Sequence, residues 1–246
     1  MDINRIASLT GFQEKDDSIV FGALCRYAEI EASSLLAEKL PILTDAAALT
    51  ADVQVRNRGT MAGSLAHADP AGDWAPPLLA LEARVTVRGP KGDRTVLVEN
   101  FIKDAYTPDL NPDELLTHIT VRLPDPSVSG AYLKFERRAG DFAVASAAVQ
   151  LHLDSQGRCQ DVRIGVGALG PTAVRPRRAE EALAGHEPSS DRIARAAEAI
   201  QEYISPFEDI RGSVEYKRHL AGVVFEKAFS VAVARASGER VPLPRL

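Results

Sequence analysis

"RNRGTMAGSLAHADPAGD" occupies residues 56–73 and packs three glycines, four alanines and a run of hydroxyl and charged side chains into eighteen positions. Small residues of this kind leave successive backbone N–H groups exposed, and such concave arrays hold anions without needing a lysine. A helix starting within or just after the stretch adds partial positive charge. The hydroxyls of Thr60 and Ser64 can donate to the same anion, and the Asp73 carboxylate can accept hydrogen bonds from a sugar or polyol. Phosphate donors beside a hydroxyl acceptor make a nucleotide-cofactor pattern. The spacing of Gly59, Gly63 and Gly72 fits neither G-x-G-x-x-G nor a phosphate loop ending in Lys-Ser/Thr, so by chemistry alone a turn-forming loop stays open beside it. Nothing in the sequence orients His67 and Asp69 as an acid–base pair, and no Gly-x-Ser-x-Gly elbow or other nucleophile is evident.

Working outward, residues 18–23 read as a buried strand, followed by helical stretches over 30–38 and after Pro41, a residue suited to a helix start. Asp73 is placed to cap a helix whose first turn holds Pro76 and Pro77. Period-two alternation at Val85/Val87, Val96/Val98 and Ile119, Val121, Leu123 predicts strands, with a turn at 89–92. The Pro- and Gly-containing stretch 124–130 divides the chain into a first domain, 1–124, and a second, 125–246. In the second, strands over 147–153 and 162–169 flank a hairpin turn at 154–157. Ile193, Ala197, Ile200 and Ile204 recur at helical spacing, and Ser213 can cap a long helix reaching Ala236, with Leu220, Val224 and Val231 turned inward.

With 246 residues, 45% apolar and 26% charged, the chain reads as an ordinary globular protein of one large or two modest domains. Its net charge of −5 argues against a general nucleic-acid binder. The basic cluster at 175–178 reads as solvated surface. No apolar run reaches the ~18 residues of a transmembrane segment, and the first twelve residues lack a signal-peptide core. A cytoplasmic location follows as the expectation, the inner face of the membrane included. Cys25 and Cys159 stand apart with no His or Cys at metal-ligand spacing, so both are expected reduced and packed, with no metal site.

The wider wording is more specific than any single motif. "DINRIASLTGF", "FGALCRYAEIE", "VQVRNRGTMAGSLAHADPAGDWAPPLLALEA" and "DELLTHITVRLP" follow one another, and then come "YLKFERRAGDFAVASAAVQL", "VGALGPTAVRP" and "DIRGSVEYKRHLAGVVFEKAF". In this order they resemble the flavoprotein (medium) subunits of molybdenum hydroxylases, of the aerobic carbon monoxide dehydrogenase and xanthine dehydrogenase type. The resemblance implies an α+β fold: the C-terminal part of a vanillyl-alcohol-oxidase (PCMH)-type FAD-binding domain, then the carbon monoxide dehydrogenase flavoprotein C-terminal domain. It implies FAD, with Thr60, Met61, Ala62, Gly63 and Ser64 at the flavin diphosphate and Asp73 on flavin hydroxyls. Lys134 would reach the cofactor from the second domain. His118 or Ile119 would lie near the isoalloxazine, and Phe142 would shield it; the bland alternatives are a surface lysine and a core aromatic.

The same resemblance implies electron transfer from iron–sulfur clusters through FAD to an external acceptor, with no catalytic side chain on this subunit. A large partner would carry the molybdenum cofactor and a small one two [2Fe-2S] clusters, in a dimer of heterotrimers. Two departures stand out. Ala62 occupies a position where the family usually has Gly, tolerable unless the backbone there needs positive φ. "MDINRI" resembles a segment that normally follows a leading flavin subdomain, whose own loop, resembling Ala-Gly-Gly-x-Ser-Leu, also wraps the diphosphate; these residues hold no copy of it. A late start codon, a split gene and a truncated protein are all open. The expectation is weak or absent FAD binding by this polypeptide alone, and the alternative function is a flavin-free scaffold docking the partner chains.

Overall fold

The computed structural model describes residues 2–242. A 3-10 turn at Ala7–Leu9 leads into β1 (Phe12–Lys15) and β2 (Ser18–Gly22), then α1 (Tyr27–Glu31), α2 (Ser34–Lys39), α3 (Pro41–Leu49) and α4 (Val53–Arg56). Next come α5 (Met61–His67), α6 (Ala75–Ala80), β3 (Arg84–Gly89), β4 (Gly92–Leu97), α7 (Val98–Phe101), the short ladder β5 (Ile102–Asp104) and β6 (Thr107–Pro108), and β7 (Leu115–Arg122). The second half holds β8 (Val128–Phe135), β9 (Ala145–Leu153), β10 (Cys159–Gly167), α8 (Arg177–Leu183), α9 (Ser190–Ile200) and α10 (Val214–Ala236).

Period-two alternation builds the first sheet, ordered β1-β2-β7-β3-β4 and antiparallel throughout. Ile19, Phe21, Val85, Val87, Ile119 and Val121 all turn into one core beneath the short helices. The second sheet, β10-β9-β8, has two faces of different character. Ala131, Leu133, Ala147, Val149 and Leu151 pack with Leu220, Val224, Phe225 and Phe229 of α10. The opposite face looks at the first half, and Tyr132 and Ala148 belong to that half's core.

Several expectations needed correction. The helix expected over 30–38 is two: the chain breaks at Ala32, and Ser33 caps α2 by accepting from Leu36 N at 3.2 Å. Val98 opens α7 instead of extending β4. Ile204 lies beyond α9 although it is buried. Arg175 is not solvated: it is 9% exposed and ion-paired to Glu180 at 2.6 Å and Glu82 at 2.5 Å. Ser213 caps α10 as expected, accepting from Tyr216 N at 3.2 Å, and Cys25 and Cys159 are free and buried.

Two devices close the seam between the halves. Gly165 sits so close to α6 that a Cβ there would lie 2.1 Å from the Pro76 carbonyl oxygen, so only a hydrogen fits. The second is ionic. Arg235 near the end of α10 reaches Asp45 of α3 at 2.6 and 3.0 Å and the Gly130 carbonyl at 2.8 Å, while Tyr132 N donates to the same carboxylate at 3.2 Å. Burial pushes the Asp45 carboxyl above its ordinary range, and Arg235 opposes that push.

Gly165→Ala is expected to destabilise by about 1–3 kcal/mol or more, because the obstacle is backbone and cannot swing away; urea denaturation measures it. Asp45→Ala is expected to cost about 3–5 kcal/mol by stranding a buried guanidinium, and Asp45→Leu with Arg235→Leu should cost clearly less. Equal losses in the single and double variants would show that the pair itself, rather than the stranded charge, sets the cost.

Candidate functional site at the seam of the two halves

Thr60 is where the site begins. Its extended backbone precedes α5, and its hydroxyl accepts from Gly63 N at 3.0 Å, so residues 60–64 are a capped helix start and not an open loop. Ala62 is helical and has no positive φ, so its methyl sits without strain. The N–H group of Ala62 has no acceptor among the described residues. Tyr27 N donates to the Gly59 carbonyl at 3.1 Å, which fixes this helix start against α1.

A cleft of about 510 Å³ opens there, lined by Thr60, Ala62, Gly63 and Ser64 on one side and by Leu115 and Leu116 of β7 on another. Tyr27 and Trp74 stack in its wall with ring centroids 4.9 Å apart. Burial pushes the Tyr27 phenol up to about 12. Trp74 Nε1 is buried with no hydrogen-bond partner. The second half contributes Gly140, Asp141 and Phe142, where Gly140 takes φ +82° against Ala51.

Asp73 lines the cleft, is 6% exposed, and does not cap α6, whose N-cap position falls to Trp74. Its carboxylate turns instead to β8. Tyr132 Oη donates to Oδ1 at 2.6 Å, and Lys134 Nζ donates to Oδ2 at 3.2 Å. The same ammonium donates to the Asp141 carbonyl at 2.8 Å and lies 3.1 Å from Glu136 Oε2. Burial raises the Asp73 carboxyl above its ordinary range; Lys134, then Tyr132, pull it back, and Glu136 adds to the rise.

The structure therefore gathers Thr60, Ala62, Gly63, Ser64, Asp73 and Phe142 around one cleft. Lys134 is neither a surface lysine nor part of the lining: at 4% exposed it stands behind Asp73. Phe142 is not a core aromatic; it is 48% exposed at the rim, with the Arg211 guanidinium 5.7 Å from its ring centroid. The Met61 and Ile119 side chains lie in the first core, and His118 pairs with Gly22 and Thr86 along the sheet, outside the lining. His67 and Asp69 meet at 4.0 Å on the rim, where the Tyr106 hydroxyl donates to Asp69 at 3.3 Å.

Sequence reasoning missed Tyr27, Trp74, Arg58, Tyr132 and Asp141. Arg58 is exposed at the cleft and makes no ion pair among the described residues, while Arg26 holds its carbonyl. Tyr132 carried a readable signal: it lies two residues before Lys134 on a strand, hence on the same face. Glu114, an acidic residue of the lining, is neutralised. Arg94 binds Glu114 at 2.8 and 2.9 Å and Asp109 at 2.8 Å, and holds the Glu114 carboxyl down at about 2.

Residues 1–126 match the family described as FAD binding domain in molybdopterin dehydrogenase, and residues 130–232 match the CO dehydrogenase flavoprotein C-terminal domain. The alpha subunit of the 6-hydroxypseudooxynicotine dehydrogenase complex of Paenarthrobacter nicotinovorans is 38% identical, over 96% of this chain and 80% of its own length. The carbon monoxide dehydrogenase medium chain of Hydrogenophaga pseudoflava is 35% identical, over 96% and 82%. The structure of carbon monoxide dehydrogenase from Hydrogenophaga pseudoflava, lacking the Mo-pyranopterin moiety of the molybdenum cofactor, superposes with a TM-score of 0.92 at 37% identity, over 95% of this chain and 81% of that one. Quinoline 2-oxidoreductase from Pseudomonas putida 86 superposes with a TM-score of 0.89 at 30% identity, over 96% and 81%.

Glu114 gives this cleft wall an acid limit. Its folded value is lowered from 4.5 to about 2, so the stability it lends is complete above 4.5 and is lost as pH falls through about 2. The difference in urea midpoint between wild type and Arg94→Met is expected to be largest above pH ~5 and to shrink on acidification. A difference independent of pH would contradict this.

Proposed function

The chain belongs to the FAD-binding medium subunits of the molybdenum hydroxylases, and on that premise we propose that the seam cleft is where FAD binds. The observation that carries the proposal is the donor set. The unbonded Ala62 amide at the start of α5 and the Arg58 guanidinium, which makes no ion pair among the described residues, suit a diphosphate, and Asp73 on the facing side suits hydroxyl donors. The residues present fit the cofactor.

When bound, FAD supplies the redox chemistry; the protein's part is binding, orientation and exclusion of water. Thr60 fixes the helix start, so the amide of Ala62 and the side chains of Ser64 and Arg58 hold the anionic part. Asp73 accepts from hydroxyls. Lys134 acts through Asp73 and the Asp141 carbonyl, fixing the 140–142 wall that carries Phe142. None of these groups needs to act as acid, base or nucleophile. His118 and Ile119 support the site at one remove, through the strand that presents Leu115 and Leu116.

In this reading the chain is an oxidoreductase subunit. A partner bearing the molybdenum cofactor hydroxylates the substrate, a small partner with two [2Fe-2S] clusters delivers the electrons, and this subunit passes them to an external acceptor. No helix among the described residues is long and apolar enough to cross a membrane, which suits a cytoplasmic complex.

The test is flavin content of the purified complex. Wild type is expected to retain one FAD per copy of this chain. Arg58→Glu should weaken retention by about tenfold, equivalent to about 1.4 kcal/mol, with an unchanged melting temperature because Arg58 is exposed and makes no ion pair among the described residues. A wild-type complex without flavin would contradict the proposal and favour the scaffold; full retention by Arg58→Glu would remove the diphosphate from this end of the cleft.

A further inference from the structure

We propose that Tyr132 is a positioning residue for Asp73: its phenol holds one carboxylate oxygen so that Asp73 stays ionised and keeps its remaining lone pairs toward the cleft. The consequence for FAD rests on the flavin reading above; the effect on Asp73 itself does not.

The geometry divides the carboxylate between two donors. Tyr132 and Lys134 lie two residues apart on β8, so their side chains leave the same face of the strand, and each takes one oxygen of Asp73. Tyr132 is fully buried and does not line the cleft, so it acts on any ligand only through Asp73. Its backbone is held as well, because its N–H donates to Asp45, the carboxylate tied to α10 through Arg235. The phenol therefore cannot follow Asp73 if the carboxylate turns away.

The charge beside Asp73 does not serve Asp73 alone. The Lys134 ammonium is shared with Glu136 at 3.1 Å, so two carboxylates meet one buried cation. The other groups facing Asp73 are Tyr27 from α1, whose phenol is held neutral, and Trp74 beside it, while the Asp141 carbonyl takes up part of the ammonium. His67, Asp69 and Glu114 lie farther along the same lining. A neutral donor to Oδ1 lowers the cost of the buried charge without needing a counter-ion of its own. Phe at 132 keeps the ring and removes only that donor.

The first measurement uses the full chain without flavin, labelled with ¹³Cγ-aspartate, with the Asp73 signal assigned by its loss in Asp73→Asn. In Tyr132→Phe the Asp73 titration midpoint is expected to move up by about one pH unit or more. Equal midpoints in the two proteins overturn the proposal. Should Tyr132→Phe not fold, 3-fluorotyrosine at position 132, a stronger donor, must move the midpoint down, and no movement overturns it. The second measurement follows FAD release from the assembled complex on acidification. Tyr132→Phe is expected to release FAD at a pH about one unit higher than wild type and to retain it equally at pH ~8. Weakening by the same factor at every pH marks a packing role and overturns the proposal. If wild type holds no FAD the cofactor reading fails, while the labelled titration still decides the role of Tyr132.

Discussion

The carboxylate of Asp73, gripped by two donors from the far side of the seam, is the interaction on which the rest depends. The residue belongs to the first half of the chain, yet both of its side-chain partners come from β8 in the second. A buried carboxylate is costly unless every lone pair is met, so the halves cannot drift apart without leaving that charge stranded. The same contact places an acceptor at the cleft and, through the Lys134–Asp141 bond, fixes the wall opposite α5. Site and interface are one construction.

The seam works because its other contacts tolerate no slack. Gly165 lets the Pro76 carbonyl approach β10, and Asp45 with Arg235 ties α3 to α10 while also holding the Tyr132 backbone. Tyr132 thus lies between two buried carboxylates, donating its N–H to Asp45 and its phenol to Asp73. A shift at the α3–α10 contact is transmitted to the cleft through this single residue. Stability and cofactor geometry are therefore coupled. A substitution well away from the cleft, at Asp45, can alter it.

Much of this was legible in the sequence wherever the signal was local. The cap at Ser213, the strand alternation around Val85 and Ile119, and the helix start at Pro41 rest on near neighbours in the chain, and the elements formed there. At Thr60 and Asp73 the small residues followed by a carboxylate suggest an anion and hydroxyl site, but by chemistry alone a turn-forming loop stays open, and the family resemblance assigns the roles. What escaped was decided by residues distant in the chain. Asp73 looked like a helix cap from its sequence neighbours, but Pro76 and Pro77 offer no N–H in the first turn of α6, and a phenol 59 positions away donates to the carboxylate instead. Arg175 looked solvated until Glu82, 93 positions earlier, folded onto it. Lys134 has partners close in sequence, Glu136 and the Asp141 carbonyl, and neither signals that Asp73, 61 positions away, stands in front of it.

The most direct measurement is a crystal structure of the assembled complex with its flavin bound. The account predicts diphosphate oxygens within hydrogen-bonding distance of the Ala62 amide, and Asp73 accepting from the flavin while still held by Tyr132 and Lys134. A flavin lying away from the start of α5, or an Asp73 carboxylate released from both β8 donors, would contradict it.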